Sequence, residues 1–357
     1  MLSIHQSAFI RQLAEDFEVT LIVEREIEEL RLKDGWNKPN FGKARIIIAV
    51  KRNVIEQNLC PDSIHLFSGI SAYKMVNTAF GFAIKRNFKV GIISEPFDWI
   101  GLKGKLRFLK YYWLRFKYEN YIDFILTIGE RGHWCYRKVG FPKNKLFDWA
   151  YVTEKIKISI KDKIQDTTEL PKLIYVGRIN KQKGIMDFLK VLALKSTLFE
   201  SMSIIGHGEK EHELKLFISN ASKFKYLGSM QNRSALSKIS EADLLILPSI
   251  GKDGWGAVIN EALMLGVPVL ATENCGGSIL LDGMNRGEVM SWKKGDVGEI
   301  VDKWLHKGQT TSAKRSEISD WTEKCISGVA IKKYFLEIID HCYSNINDKP
   351  VAPWLKS

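Results

Sequence analysis

Short, β-rich apolar runs alternate with longer amphipathic stretches from one end of the chain to the other, and this alternation constrains the fold more tightly than any single motif. In the first half the runs are residues 17–23, 45–50, 63–67, 89–93 and 124–128; in the second they are 172–176, 202–205, 223–227, 243–247 and 268–271. Near-continuous Val, Ile and Leu is what a strand shows when both of its faces are covered, as in parallel sheets. Helical stretches over 5–15, 72–85 and 104–118 supply the cover, so the pattern predicts βαβ units with right-handed crossovers. At 357 residues the chain exceeds what one hydrophobic core usually organises, and two α/β domains, each a doubly wound parallel sheet, are expected. The polar, strand-free segment 153–170, ending at Pro171, reads as the linker. The expected division is 1–167, 168–325 and a helical tail 326–357. An apolar face through Val329, Tyr334, Phe335, Ile338 and Ile339 is expected to pack that tail back on the first domain.

Bulk properties exclude several classes. A hydrophobic content of 45% and a charged content of 26% belong to a globular chain, and no apolar run approaches the ~20 residues of a membrane span. The first residues lack the basic, apolar and small-residue regions of a secretory signal, so a cytoplasmic location is expected. Cys60, Cys135, Cys275, Cys325 and Cys342 are scattered, with no Cys-x-x-Cys pair, which argues against a disulfide framework and a zinc site. The net charge of +12 attracts phosphates, nucleic acid or an anionic membrane. No nucleic-acid-binding module is recognisable. The densest basic segment, 103–118, interleaves Lys and Arg with Leu, Phe, Tyr and Trp. It reads either as a helix on an anionic membrane surface or as a half-buried helix whose cationic stems cover apolar neighbours.

Ligands of open α/β sheets bind at the carboxyl ends of the strands, and two such domains facing each other are expected to leave a central cleft there. Four segments of the second half carry suitable groups at such ends. The first places Gly177, Arg178 and Lys183 after a strand; paired cations suit a diphosphate, and a solvated basic turn is the plainer alternative. The second, with Gly206 and Gly208, permits close backbone approach to a ligand but is equally an ordinary tight turn. The third carries the strongest signal: a strand ends at Ser249, a glycine-rich loop holds Asp253, Gly254, Trp255 and Gly256, and a helix begins near Ala257 and ends at Gly266. A helix start offers backbone N–H groups and a positive dipole end to a phosphate. Glu261, inside that helix, can accept hydrogen bonds from both hydroxyls of a ribose, and Asp253 can hold sugar hydroxyls. An N-cap aspartate with a solvent-facing glutamate is the alternative. The fourth segment places Gly276 and Gly277 after the next strand, as a loop against phosphate or sugar or as a plain turn.

Taken together, Gly-Arg…Lys-Gly, Gly-x-Gly, Pro-Ser…acidic-x7-Glu and Gly-Gly resemble the C-terminal domain of family 4 GT-B glycosyltransferases, over roughly residues 170–345, with a looser match upstream. The resemblance implies two Rossmann-like domains and a glutamate pair that contacts the donor sugar and the nucleotide ribose. Here that pair is Asp253 and Glu261, the first one methylene shorter than the usual Glu, and Trp255 stands where Phe is common. Residues matching Arg178 and Lys183 bind the diphosphate in the family. By position in the fold, Glu95 corresponds to an acceptor-side histidine and Asp98 is its neighbour; Ser68 and Gly69 line the same cleft. His5 and Gln6 open the first helix, where relatives approach the diphosphate or sugar. The strand expected before that helix is missing, which reads as a truncated start.

The resemblance therefore implies a retaining, metal-independent enzyme with no cofactor, the nucleotide-sugar being a substrate. UDP-sugar is the favoured donor, GDP-sugar an alternative. The acceptor is a glycan, lipid-linked, of a bacterial capsule, O-antigen or exopolysaccharide, with peripheral membrane contact through 103–118 and no nucleic-acid partner. A sugar-nucleotide epimerase of the same architecture and a non-catalytic nucleotide-sugar-binding protein are the competing readings.

Overall fold

A computed structural model of the chain describes residues 4–25, 39–49, 51–71, 73–156, 170–219, 221–344 and 348–356. These fall into two compact units: one holds the described residues up to 152 and from 328 onward, the other those of 153–327. The chain crosses between them at Val152/Thr153 and Ser327/Gly328, against the expected 167/168 and 325/326. Most of the expected linker lies outside the described residues; of it, Thr153 forms a parallel bridge with Ser327.

In the first unit a 3-10 turn at Ile4–Gln6 runs into α1 (Ser7–Leu13). There follow β1 (Thr20–Val23), β2 (Arg45–Ile48), α2 (Arg52–Gln57), β3 (Ile64–Ser68), α3 (Lys74–Lys85), β4 (Lys89–Ser94), α4 (Gly101–Tyr118), β5 (Phe124–Ile128), α5 (Gly129–Lys138) and β6 (Leu146–Trp149). All strand pairs are parallel, as the unalternating apolar runs predict, but they form two sheets: β1 beside β2, and β3-β4-β5-β6 in consecutive order. Every residue of β5 is buried, which is why Phe-Ile-Leu-Thr-Ile shows no polar alternation. The strand β6 was not anticipated, because Leu-Phe-Asp-Trp is short and carries a carboxylate. Phe67, Ile92, Ile125 and Leu146 join Phe80 and Phe97 in the core of this unit.

The second unit contains β7 (Lys172–Val176), α6 (Ile185–Ala193), β8 (Ser201–Ile205), α7 (Glu211–Ile218), β9 (Phe224–Gly228), α8 (Asn232–Glu241), β10 (Leu244–Leu247), α9 (Ala257–Met264), β11 (Val269–Thr272), β12 (Gly287–Met290), α10 (Val297–Leu305) and α11 (Ser312–Ile326). Its six strands are all parallel, in the order β12-β11-β10-β7-β8-β9. The order reverses between β7 and β10, whose carboxyl ends are adjacent; this is where an open α/β sheet places its ligand. The edge strand β12, Gly-Glu-Val-Met, leaves Val289 exposed and was too short and polar to be anticipated. Helix α11 is anchored by a buried ion pair, Arg315 to Asp243 at 3.0 Å, and Asp243 also accepts from the Lys172 backbone N–H at 2.9 Å.

The chain then returns to the first unit as α12 (Gly328–Tyr343). Phe335 packs edge-on against Phe9 of α1 with ring centroids 5.1 Å apart, Tyr334 stacks on Trp149 at 6.0 Å, and the Tyr343 hydroxyl donates to Asp123 at 2.8 Å. Trp354 closes the far side of Tyr334. Val329, expected on the buried face, is 63% exposed: it stands in the first turn, and the buried positions of α12 are Gly328, Ile331, Tyr334, Phe335 and Ile338.

Candidate functional site

At the β7/β10 reversal the second unit assembles a compact polar cluster. After β7 the chain makes a 3-10 turn, Lys181–Lys183, capped by the Asn180 side chain, which accepts from the Lys183 N–H at 3.0 Å. Gly184 follows with φ +66, and a Cβ there would stand 2.2 Å from the Pro248 carbonyl oxygen. A glycine is thus required for the β7 loop to lie against the β10 loop. That contact delivers Lys183 to the other loop: its Nζ is 2.5 Å from Asp253 Oδ2, both side chains mostly shielded from solvent. Ser249, fully buried, donates to the same oxygen at 2.8 Å, and the Cys275 thiol lies 3.7 Å away. Burial, and next the Asp253 charge, push the Cys275 thiol up to about 12, so at neutral pH it is a neutral neighbour rather than a nucleophile.

The loop carrying Asp253 is braced from behind. Asp253 N–H donates to Asn274 O at 3.1 Å, Gly276 N–H to Gly254 O at 2.8 Å and Gly277 N–H to Trp255 O at 2.7 Å. The amides of Gly276 and Gly277, in the segment read as a loop against phosphate or sugar or as a plain turn, are therefore committed to the Asp253 loop, and these two glycines brace it. Trp255 is 2% exposed, and its indole N–H donates to Asn260 at 2.7 Å, so it anchors the loop in the core instead of presenting a face to a ligand. Gly206 and Gly208 also serve the backbone: a Cβ on either would meet the carbonyl of Gly177 or Ile179 within van der Waals distance. For that Gly-x-Gly, the tight-turn alternative is the one the geometry supports.

Gly256 (φ +77) turns the chain into α9, whose start no side chain caps among the described residues. The N–H groups of Ala257 and its neighbour thus form an anion-accepting end on the loop that carries Asp253. One turn in, Glu261 accepts from Asn232 Nδ2 at 3.1 Å. The residue keeps part of its surface, yet its carboxylate is packed closely enough that burial pushes its pKa up to about 7, a rise the Asn232 hydrogen bond opposes.

Arg178 is exposed just beyond β7, whereas Lys183 pairs with Asp253. The Arg178 carbonyl accepts from the Tyr175 hydroxyl at 2.7 Å. That hydroxyl titrates far above its ordinary range through burial first, then through the nearby Asp253 and Cys275, with Arg178 opposing. Arg178 and Asp253 thus act on one buried phenol from two loops. Tyr175, Asn232 and Asn274 were missed from sequence; a tyrosine inside an apolar strand run and two loop asparagines carry no local signal of a shared site.

The first unit gathers a second cluster at the carboxyl edge of its four-stranded sheet. Glu95 follows β4 and Tyr151 follows β6, and the Tyr151 hydroxyl donates to Glu95 Oε1 across the end of β5. His5 stacks on Tyr151 with ring centroids 4.1 Å apart. Gln6 is bound to the same strand end, accepting from Trp149 Nε1 at 3.1 Å and donating to Ala150 O at 3.2 Å. Of the acceptor-side residues inferred from sequence, His5, Gln6 and Glu95 are therefore brought together, with Tyr151 as the unforeseen link. Asp98 serves locally, accepting from the Ile100 N–H at 3.2 Å ahead of α4. Ser68 ends β3, and Gly69 (φ +82) turns the chain with its N–H on Ile93 O at 2.9 Å.

Residues 170–306 match the family model described as glycosyl transferases group 1. Over 252 residues the chain is 26% identical to an uncharacterized 41.2 kDa protein in the cps region of Klebsiella pneumoniae, covering 68% of each chain. It is 25% identical over 132 residues to the phosphatidyl-myo-inositol mannosyltransferase of Mycobacterium leprae, a match spanning 36% of this chain and 32% of that relative. In three dimensions it is similar to Anabaena HepE in complex with UDP, with a TM-score of 0.65 at 13% identity over 91% of this chain and 100% of that one. It is also similar to the lipopolysaccharide outer core galactosyltransferase WaaB, with a TM-score of 0.64 at 15% identity over 96% and 95%. Residues 170–306 are a glycosyl transferases group 1 domain, and the chain that carries them is a glycosyltransferase of GT-B fold.

Proposed function

We propose that this enzyme moves a sugar from a nucleoside diphosphate, UDP before GDP, to a lipid-linked glycan acceptor of a bacterial surface polysaccharide. In this reading it works at the cytoplasmic face of the membrane, retains anomeric configuration and needs neither metal nor cofactor. The observation that carries the donor reading is the Lys183–Asp253 ion pair at the strand-order reversal, on the loop that leads into the uncapped start of α9, with Glu261 one turn inside the helix. Lys183, Arg178 and the α9 amides balance the charge that builds on the leaving diphosphate, by point charge and oriented dipole. Glu261, as carboxylate, accepts from the two ribose hydroxyls. Asp253, steadied by Ser249, takes the sugar hydroxyls and so fixes the reacting carbon against the acceptor.

UDP is favoured because the similar HepE structures hold UDP and UDP-glucose. The surface-polysaccharide reading is supported by the relative from a cps region and by the galactosyltransferase of the lipopolysaccharide outer core. On the acceptor side, the Glu95 carboxylate held by Tyr151 is the group that can receive an acceptor hydroxyl.

Binding of UDP-, GDP- and ADP-sugars, read by thermal shift on the parent, Lys183→Ala and Asp253→Asn, tests the donor site. A ligand at 100 times its Kd stabilises by about 2.7 kcal/mol, which the parent is expected to show with a UDP-sugar and both variants to lose in large part. Variants that respond like the parent would place the donor elsewhere. Conversion of donor alone into a new sugar nucleotide would identify an epimerase.

A further inference from the structure

Helix α4 is the motif that donor chemistry leaves unused, and its surface is unusual for a globular chain. Of its 18 residues it buries Gly104 and Leu114. Leu102, Leu106, Leu109, Trp113 and Phe116 stand 82, 68, 61, 56 and 80% exposed. Their 4-3-4-3 spacing puts all five within about 40° of one direction at about 100° per residue, while Gly104, Tyr111 and Leu114 face the opposite way. The helix is therefore amphipathic twice: a narrow inner face packs on the unit, Tyr111 stacking on Phe97 at 4.1 Å, and an outer apolar stripe packs on nothing described.

The stripe is rimmed by cations. Lys103, Lys110 and Lys117, seven residues apart, run along one flank; Lys105 and Tyr112 run along the other, and α4 contains no acidic residue. The Lys117 ammonium lies 4.8 Å from the Trp113 ring centroid, so its stem follows the stripe while its charge stays at the edge. Arg115, on the inner side, is paired with Glu119 at 2.5 Å and takes no part. Isolated exposed apolar residues are ordinary, but a contiguous row this large marks a docking surface. A protein groove would have to bury or match a rim of lysines with no acidic residue among them. An anionic leaflet meets both features at once, taking the large apolar side chains to the level of the acyl chains and the lysines among the headgroups. Among the described residues no helix is long and apolar enough to cross a membrane, so α4 would lie in the plane of the interface.

We infer that α4 is a membrane-docking helix which seats the first unit on an anionic phospholipid surface through Leu102, Leu106, Leu109, Trp113 and Phe116, with Lys103, Lys110 and Lys117 bound to headgroups. This deepens the lipid-linked acceptor reading by naming the surface involved, but it rests on α4 alone, and the two can fail separately.

The test is co-sedimentation of the full chain with vesicles of phosphatidylcholine alone and of phosphatidylcholine mixed equally with phosphatidylglycerol. Tight binding is expected to the mixed vesicles only, weakening as salt is raised. Replacing the three lysines by Gln is expected to lower partitioning about a hundredfold, from the attraction of each lysine to an anionic leaflet. Leu106→Gln with Leu109→Gln is expected to lower it about tenfold or more. All five positions are exposed, so melting temperature and UDP-sugar response should stay at parental values, which separates lost docking from misfolding and from a failed donor site. Equal binding to neutral and anionic vesicles, or unchanged binding of both variants, would overturn the inference. So would a concentration-dependent dimer abolished by the leucine changes without vesicle binding by the parent, which would assign the stripe to a second copy.

Discussion

Donor affinity should fall about tenfold between pH 8 and pH 6, and Glu261 is the reason. Packing around its carboxylate pushes the pKa up to about 7, with Asn232 Nδ2 at 3.1 Å holding it from rising further. At pH 8 roughly nine carboxyls in ten are ionised, and at pH 6 roughly one in ten. Only the carboxylate offers both of its oxygens as acceptors, one to each hydroxyl, so the ribose finds its partner in about a tenth of the molecules at pH 6, a loss of about 1.4 kcal/mol. Stability runs the other way. The folded pKa lies above the unfolded value of 4.5, so the folded chain binds the extra proton between those values. Stability from this group is full below pH 4.5 and is lost as pH rises through 7, by roughly 3 kcal/mol in all.

Calorimetric titration with a UDP-sugar, whose diphosphate diester does not titrate near neutrality, separates these effects when run in two buffers of different ionisation enthalpy. The parent is expected to release close to one proton per donor bound at pH 6 and almost none at pH 8. Glu261→Gln should bind more weakly at pH 8, show no proton release, and melt higher than the parent at pH 8 but not at pH 5. Binding by the parent without proton release at pH 6, or the same pH profile in the Gln variant, would refute the assignment of ribose to Glu261.

Three further outcomes follow from the same geometry. Gly184→Ala should cost about 3 kcal/mol, from a positive φ and a Cβ 2.2 Å from Pro248 O; denaturant unfolding measures it, with donor affinity falling in parallel because Lys183 is the preceding residue. Arg315→Met should destabilise by about 3–5 kcal/mol, since it leaves Asp243 buried beside an apolar group; a variant within 1 kcal/mol of the parent, on the order of typical surface changes, would show that Asp243 finds other partners. Tyr151→Phe should lower kcat/KM for the acceptor about tenfold by releasing Glu95 while leaving UDP-sugar affinity unchanged; steady-state kinetics with varied acceptor reads the difference.

Much of the fold was legible because the information is local. The runs at 124–128 and 172–176 coincide with β5 and β7 to the residue, since strands buried on both faces need unbroken apolar sequence. The other anticipated strands differ by a few residues at their ends, where pairing register rather than composition sets the boundary. β6 and β12 escaped because four residues with a carboxylate among them have no period to detect. The residues of the two candidate sites were largely named, but some of their duties were not. Trp255, Gly276 and Gly277 carry the appearance of ligand contacts and act as supports.

Residue type and spacing along the chain therefore specified parallel α/β units, the strand–loop–helix around Asp253, and a cationic, aromatic helix at 103–118, each a matter of neighbours within a few turns. That Lys183 meets Asp253 across 70 positions, that Asn232 holds Glu261, and that Tyr151 joins His5 to Glu95 follow instead from strand order. Those encounters depend on β7 lying next to β10, and on β4 and β6 flanking β5. Strand order is chosen by the packing of whole layers, and no short stretch of sequence encodes which carboxyl end will be its neighbour.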